Sequence, residues 1–356
     1  MAKLSVSEYF KVKKLISSNH SISVFSVMDG NMPGEIFVND MDKPTSALIK
    51  TCECNLVAGT PDDKFLNEIS SELDFWDTIT PDTQDWFEKI PLLHKNRFIH
   101  PFKRRHYVLT PNIFAQRETP LPEGFVLEKV NLELLRNSAY KNADKIIEWA
   151  GDWGDDNAFY IHGAGNYIRN KETIVAWSLS DCYFEKQVTI GVNTDGSYRK
   201  RGFGIKVVSE TVKDCFEKNY LAIHWLCVDT NRGSISIAEK LGFRLNNEYF
   251  YFCSYLPTEN LHDISEKDWL SWAKYLEEAS AQEPRLVNEC IYSYMKANDV
   301  NKTIEIINSL PQFGRKPNIN EYTNAILFFQ SVGLCSNFKC SIWENFINQN
   351  IQSNTE

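Results

Sequence analysis

The sequence predicts a mixed α/β fold, a sheet flanked by helices, and three observations carry the prediction. From Gln187 to Thr194, Val188, Ile190 and Val192 alternate with Thr189, Gly191 and Asn193, the period of two of a strand with one buried face. From Gly202 the period becomes helical: Ile205, Val208, Val212, Cys215 and Phe216 share a stripe, with Lys213 and Lys218 in the last turns, where cations suit the dipole. A second apolar run, Leu221 to Val228, precedes a short helix that Asn231 would cap and Gly242 would end in a left-handed conformation. Phe243 then leads into a strand, Tyr249 to Tyr255.

Between the strand and the long helix lies Asp195-Gly-Ser-Tyr-Arg199-Lys-Arg-Gly202-Phe-Gly204. A helix N-terminus leaves up to four amide donors without intrahelical partners, and glycines allow close approach to the backbone, so this junction suits a phosphate or pyrophosphate. A tight turn with glycines for steric reasons is the plainer alternative, and the pattern alone does not separate the two.

The wider context does. Arg199-x-x-Gly202-x-Gly204, then Trp225-x-Cys227-x-x-x-Asn231-x-x-Ser234 and Glu239-Lys-Leu-Gly-Phe243, resembles the acyl-CoA-binding half of the GNAT N-acetyltransferase superfamily. The resemblance implies a mixed, mostly antiparallel GNAT sheet of the α+β kind and acetyl-CoA as cosubstrate; Cys52-x-Cys54 lacks a second nearby pair, so no metal is expected. It implies that the amides of Arg199, Lys200, Arg201, Gly202, Phe203 and Gly204 hold the pyrophosphate. The backbone of Val192, Asn193 and Thr194 would pair with the pantetheine arm, with Asn231 and Ser234 alongside. Trp-x-Cys and Ala238 are similar to the branch that includes zwittermicin-resistance acetyltransferases. Met32 to Asp40 with Pro44 to Ala47 resembles the N-terminal region of that branch, extending the likeness to most of residues 20–255.

Taken in order, Ser5 to Ser17 suits a helix, Ser21 to Met28 alternates as a strand, and Asp29 to Gly34 is turn chemistry before an extended Glu35 to Val38. Strands follow at Ala47–Ile49 and Asn55–Ala58, then a helix from Asp62 to Leu73, a short helix near Trp86 and a strand at His106–Leu109. Residues 1–110 thus read as an N-terminal α/β companion domain, GNAT-like and noncatalytic because no phosphate loop recurs in it. Prolines at 111, 120 and 122 make 111–123 a linker. The acetyltransferase domain, 124–256, opens with a strand at Phe125–Leu127 and a helix over Asn131–Ala150. The acidic loop Gly151–Asn157 sits where the family places acceptor contacts, and strands at Phe159–Ile161 and Thr173–Trp177 flank Val188–Asn193. Residues 257–356 read as a helical extension, in which Ile291, Tyr294 and Asn298 recur as Ile326, Phe329 and Gly333. That spacing resembles a pentatricopeptide repeat, but such solenoids need about three or more copies, so the segment reads as an appendage binding the enzyme or a protein partner.

A net charge of -9 argues against nucleic acid and fits a small-molecule amine as substrate. Nine cysteines without scaffold spacing read as reduced thiols, and no run reaches membrane-spanning length, which makes the expected location cytoplasmic. Lys103-Arg104-Arg105-His106 reads as a solvated strand end rather than a site for the CoA 3'-phosphate.

The chain departs from the family pattern at two places. Ala238 stands where many members have a tyrosine acid, and Thr189 where the branch tends to have glutamate. Cys227 and Tyr251 are the leading substitutes, with Tyr249 and Glu185 behind them, and water relaying protons to bulk is a further option. The expected function is therefore N-acetyl transfer from acetyl-CoA to a small-molecule amine; the alternative is a catalytically silent acyl-CoA-binding protein with a partner-binding tail.

Overall fold

One 12-stranded sheet organises the first 255 residues, and its strand order explains how the two sequence halves fit together. The structure, a computed structural model, describes residues 1–17, 21–73, 77–93, 99–117, 120–253, 264–331 and 345. The first half carries β1 (Ala2–Lys3), α1 (Ile22–Met28), β2 (Glu35–Val38), β3 (Ser46–Lys50), β4 (Asn55–Gly59), α2 (Asp63–Glu72), β5 (Ile79–Pro81), α3 (Gln84–Lys89) and β6 (His100–Leu109). The second carries β7 (Phe125–Lys129), α4 (Leu132–Asn137), α5 (Ala143–Ala150), α6 (Asp156–His162), β8 (Gly165–Asn170), β9 (Thr173–Phe184) and β10 (Gln187–Thr194). It continues with α7 (Phe203–Glu217), β11 (Ala222–Val228), α8 (Arg232–Lys240) and β12 (Arg244–Cys253).

The order across the sheet is β1-β2-β3-β4-β5-β12-β6-β11-β10-β9-β8-β7, antiparallel except for the parallel pairs β4–β5 and β10–β11. Parallel neighbours cannot be joined by a tight turn, and here α2 and α7 supply the crossovers. The arrangement is pseudosymmetric about the central pair β12–β6. Each half ends by lending its last strand to the other: β6 lies between β11 and β12, with Leu109 opposite Ile223 and Val108 opposite Arg244. Segments 1–110 and 124–256 thus share a single sheet.

Apolar faces of that sheet decide where the helices go. Val188 and Ile190 of β10 are buried with Val207, Val208, Val212 and Cys215 of α7 and Ala238 and Leu241 beside them. On the opposite face one core joins the halves, with Val24 and Val27 of α1 in the same cluster as Ile146, Trp153 and Trp177. A further core lies under α2 and α3, around Phe65, Leu66, Ile69 and Trp86.

Three local readings are corrected. Ser21–Met28, read as a strand, is the capped helix α1: the Ser21 hydroxyl accepts from the Ser23 amide, and nearly every residue is buried, so alternation carried no information. Phe159–Ile161, also read as a strand, lies in α6, which Asp155 starts by accepting from the Ala158 amide at 2.9 Å. The helix expected over Asn131–Ala150 breaks into α4 and α5 at Asn142, whose φ of 72° is left-handed. Strand β8 was not anticipated. The end of the strand expected to reach Tyr255, the repeat position Gly333 and the tail after Asn348 lie outside the described residues.

Residues 256–356 form a separate unit. Its described part consists of α9 (Glu266–Ser280), α10 (Val287–Lys296), α11 (Val300–Ser309) and α12 (Ile319–Ser331). Ser265 and Asp268 form a capping box on α9, and Trp269, Trp272, Ala273 and Leu276 give it a buried stripe.

Candidate active site

The sheet opens beside α7. β10 extends to Thr194 and β11 to Val228, yet they pair only over Gln187–Thr189 and Ala222–His224. The other edge of β10 stays bonded to β9, with Val192 opposite Ser178, Asn193 opposite Trp177 and Thr194 opposite Ala176. Val192, Asn193 and Thr194 therefore turn one backbone edge toward the gap. A bulge marks the parting point: Thr189 faces Cys182 and Ile190 faces Ser180, leaving Asp181 as the extra residue. Bulges bend a strand and increase its twist, which carries β10 away from β11. Gly191 follows, and a Cβ there would stand 2.6 Å from the Trp149 ring.

At the wide end of the gap the backbone presents bare donors. Asp195 accepts from the Ser197 amide at 3.0 Å, and Arg199 Nε donates to the Thr194 carbonyl at 3.1 Å, which ties the loop to β10. Lys200 and Gly202 both have positive φ, 60° and 83°, and Gly202 caps α7 with no side chain. The first α-helical bond runs from the Lys206 amide to the Gly202 carbonyl, so the amides of Phe203, Gly204 and Ile205 have no intrahelical acceptor. Phe203 points inward, its ring 4.7 Å from that of Phe125, and anchors the turn. At Gly204 a Cβ would lie 2.9 Å from Ile237 Cδ1, so the glycine lets α8 close on α7. Lys200 and Arg201 are exposed, Arg201 over the Tyr198 ring at 5.2 Å. The corresponding helix of the first half differs: Asp62 accepts from the Phe65 amide at 2.8 Å, putting a carboxylate where an anion would bind.

Asn231 and Ser234 lie at the start of α8, reached from β11 across the gap. Asn231 Oδ1 accepts from the Ser234 amide at 2.9 Å, and Ser234 Oγ accepts from Trp225 Nε1 at 2.9 Å. Both residues thus shape the start of α8.

The proposed proton-transfer residues are not brought together. Cys227 is buried in the core shared with Tyr107, Trp225 and Ala238, on the α7 side. Tyr251 lies on the other face, with the Arg104 guanidinium over its ring at 5.7 Å. Burial raises the Tyr249 hydroxyl above its usual range. Glu185, at φ 53°, sits in the hairpin turn between β9 and β10. The basic cluster is neutralised in part, by Lys103 with Glu248 and Arg105 with Asp229. His106 Nε2 and His224 Nδ1 meet at 2.7 Å, and His224 Nε2 meets Gln187 Oε1 at 2.9 Å. Burial, then the neighbouring His106, lowers His224 to about 3. Of the acidic loop, Asp155 caps α6 and Asp156 grips Arg136, which leaves Asp152 exposed.

A polar group that the sequence did not single out gathers at the narrow end of the gap. Glu53, in the turn between β3 and β4, accepts a hydrogen bond from the Ser21 hydroxyl, with Ser23 and Thr189 close enough to favour its ionised form, and its backbone carbonyl accepts from Arg104 at 3.1 Å. Burial raises its carboxyl above the usual range. The bulge residue Asp181 accepts from Trp149 Nε1 at 2.6 Å, and burial, reinforced by Glu53, raises it well above normal. Cys52 is exposed beside them and donates to the Asp181 carbonyl at 3.9 Å. No sequence spacing links residue 53 to residue 181; the exchange of strands between halves does.

The sequence model of the GNAT acetyltransferase family matches residues 13–252. The chain is 23% identical over 265 residues to the uncharacterized N-acetyltransferase YdfB of Bacillus subtilis, covering 71% of this chain and 98% of that one. Among solved structures it resembles a GCN5-related N-acetyltransferase-like protein from Streptococcus suis, with a TM-score of 0.58 at 20% identity over 70% of this chain and 99% of that one. Among the described residues no helix is long and apolar enough to cross a membrane. The chain belongs to the GNAT acetyltransferase family and is an acyltransferase.

Proposed function

We propose that the protein transfers the acetyl group of acetyl-CoA directly to an amine of a small molecule. The parting of β10 from β11 beside the uncapped start of α7 carries this reading. The pyrophosphate binds the amides from Lys200 to Gly204, where the helix dipole favours negative charge, since the Arg199 amide already donates to the Gly196 carbonyl. The pantetheine arm lies along Val192–Thr194 and brings the thioester toward the apex at Thr189. A backbone amide of β10 polarises the carbonyl as the amine attacks, and the thiolate leaves with the C–S electron pair and takes up a proton. The acidic balance of the chain, at -9, favours a cationic acceptor. By the same reading the chain belongs with the zwittermicin-resistance-like branch and works in the cytoplasm, where its seven described cysteines remain thiols.

A silent acyl-CoA-binding protein is the second reading, favoured by Ala238, fully buried, in place of a tyrosine acid. Thiol release from acetyl-CoA with spermidine, kanamycin and a lysine-containing peptide separates the two. Direct transfer predicts free thiol and an acetylated product with at least one amine. Tight acetyl-CoA binding without thiol release from any amine contradicts transfer and leaves the silent reading.

A further inference from the structure

Among the described residues, the apex of the gap holds one feature that the family comparison does not explain. On β10, Val188 and Ile190 face α7, so Thr189 faces the opposite side of the sheet. There Cys182 Sγ lies 3.6 Å from its hydroxyl, and the turn that carries Glu53 reaches the same place, with Cys52 Sγ donating to the Asp181 carbonyl at 3.9 Å and Thr189 close enough to favour the ionised Glu53 carboxylate. Glu53 is delivered by the first half of the chain, on the short turn that returns β3 into β4. Its position is fixed on several sides. Arg104 of β6 holds its carbonyl, Ser21, the cap of α1, holds its carboxyl, and Asp181 lies across from it at the bulge. Trp149, lying over Gly191, holds Asp181 in turn. Glu53 and Asp181 are half-buried while Cys52 and Asp152 beside them are exposed, so solvent reaches the rim of this group.

We propose that Glu53 is the base of the acyl transfer, supplied by the first half of the chain to the site of the second. The inference rests on the proposed use of acetyl-CoA and an amine. An acceptor arrives as an ammonium and gives one proton to Glu53 Oε. The freed nitrogen lone pair forms the C–N bond, the C–S bond breaks, and the CoA thiolate takes the proton that the nitrogen sheds on becoming an amide. Glu53 then returns its proton to solvent. A carboxyl raised by burial holds a proton more readily than an ordinary one, which suits a base working near neutral pH. The groups that face it are Arg104 from β6, Asp181 and Cys182 from β9, Tyr249 from β12, and its own neighbours Cys52 and Cys54, with Asp152 beyond Asp181 and Tyr251 beyond Arg104. Only Arg104 among them favours the ionised carboxylate; Asp181, when charged, opposes it. Thr189 accordingly leaves room for a carboxylate from the other half where a glutamate on β10 would collide with it.

The full chain tests this, with acetyl-CoA and whichever of spermidine, kanamycin or the lysine-containing peptide the wild type acetylates fastest. Glu53→Gln is expected to lower kcat on the order of 10²- to 10³-fold, with acetyl-CoA affinity unchanged and the acid limb of the kcat/KM profile gone. Glu53→Asp retains the limb with partial activity. Arg104→Gln retains the limb but moves it to higher pH, because the positive neighbour that favours the carboxylate has been removed. Glu53→Gln that binds acetyl-CoA and keeps wild-type kcat and pH profile overturns the inference. So does an unmoved acid limb in Arg104→Gln, which serves should Glu53→Gln misfold. A wild type that binds acetyl-CoA but acetylates none of the amines overturns the transfer reading, and the inference with it; a wild type that does not bind acetyl-CoA overturns the cosubstrate assignment itself.

Discussion

His224 illustrates how a single buried side chain sets the pH behaviour of the sheet. Flanked by His106 and Gln187, it is lowered from 6.5 to about 3 by burial and then by His106. Between those values the unfolded chain takes a proton that the folded chain refuses, so stability falls as pH drops below 6.5 toward 3. Each pH unit crossed costs up to roughly 1.4 kcal/mol. Denaturant titrations from pH 7 to 4 should therefore give a steep loss in wild type and a shallower one in His224→Gln; parallel curves would refute the assignment. The sequence makes some residues legible and hides others for the same reason. Asn231 and Gly242 act on their own helix, so position alone reveals them. His224 and Glu53 acquire their character from partners 118 and 32 residues away, at His106 and Ser21.

Elements follow their local chemistry where one face is buried and lose it where burial is nearly complete. The β10–α7–β11–α8 run is anticipated closely because its residue types keep a period: Val188, Ile190 and Val192 alternate with Thr189, Gly191 and Asn193 in β10, and Val208, Val212 and Cys215 share the buried side of α7. α1 is misread because almost every one of its residues is buried, which erases periodicity. α8 offers a test of how its ends hold the site. Asn231→Ala removes the cap and should cost about 1 kcal/mol. Gly242→Ala forces a side chain onto a φ of 94° and brings a Cβ within 2.3 Å of the Ile113 carbonyl, against residues just after β6. Strain of this kind costs on the order of 1–3 kcal/mol. Chemical denaturation checks both: a neutral Asn231→Ala or a neutral Gly242→Ala would contradict the described packing.

For the whole molecule, the exchange of β6 and β12 makes residues 1–255 interdependent. Expressed alone, 124–255 would present β11 and β12 without the strand that lies between them, two open edges prone to aggregation. Co-expression of 1–123 with 124–255 should return a soluble complex that copurifies, whereas a cooperative melt from 124–255 alone would contradict the interleaving. No internal symmetry is visible in the sequence because the first half has lost the phosphate loop, with Asp62 capping α2 in its place. The account rests on the bare donors at the start of α7, and calorimetric titration of the full chain with acetyl-CoA tests them most directly. Wild type should bind, Gly202→Asn, which tolerates a positive φ, should bind nearly as well, and Gly202→Glu should lose at least about 100-fold, roughly 2.7 kcal/mol, by setting a carboxylate against pyrophosphate. Equal affinity in wild type and Gly202→Glu would contradict the account.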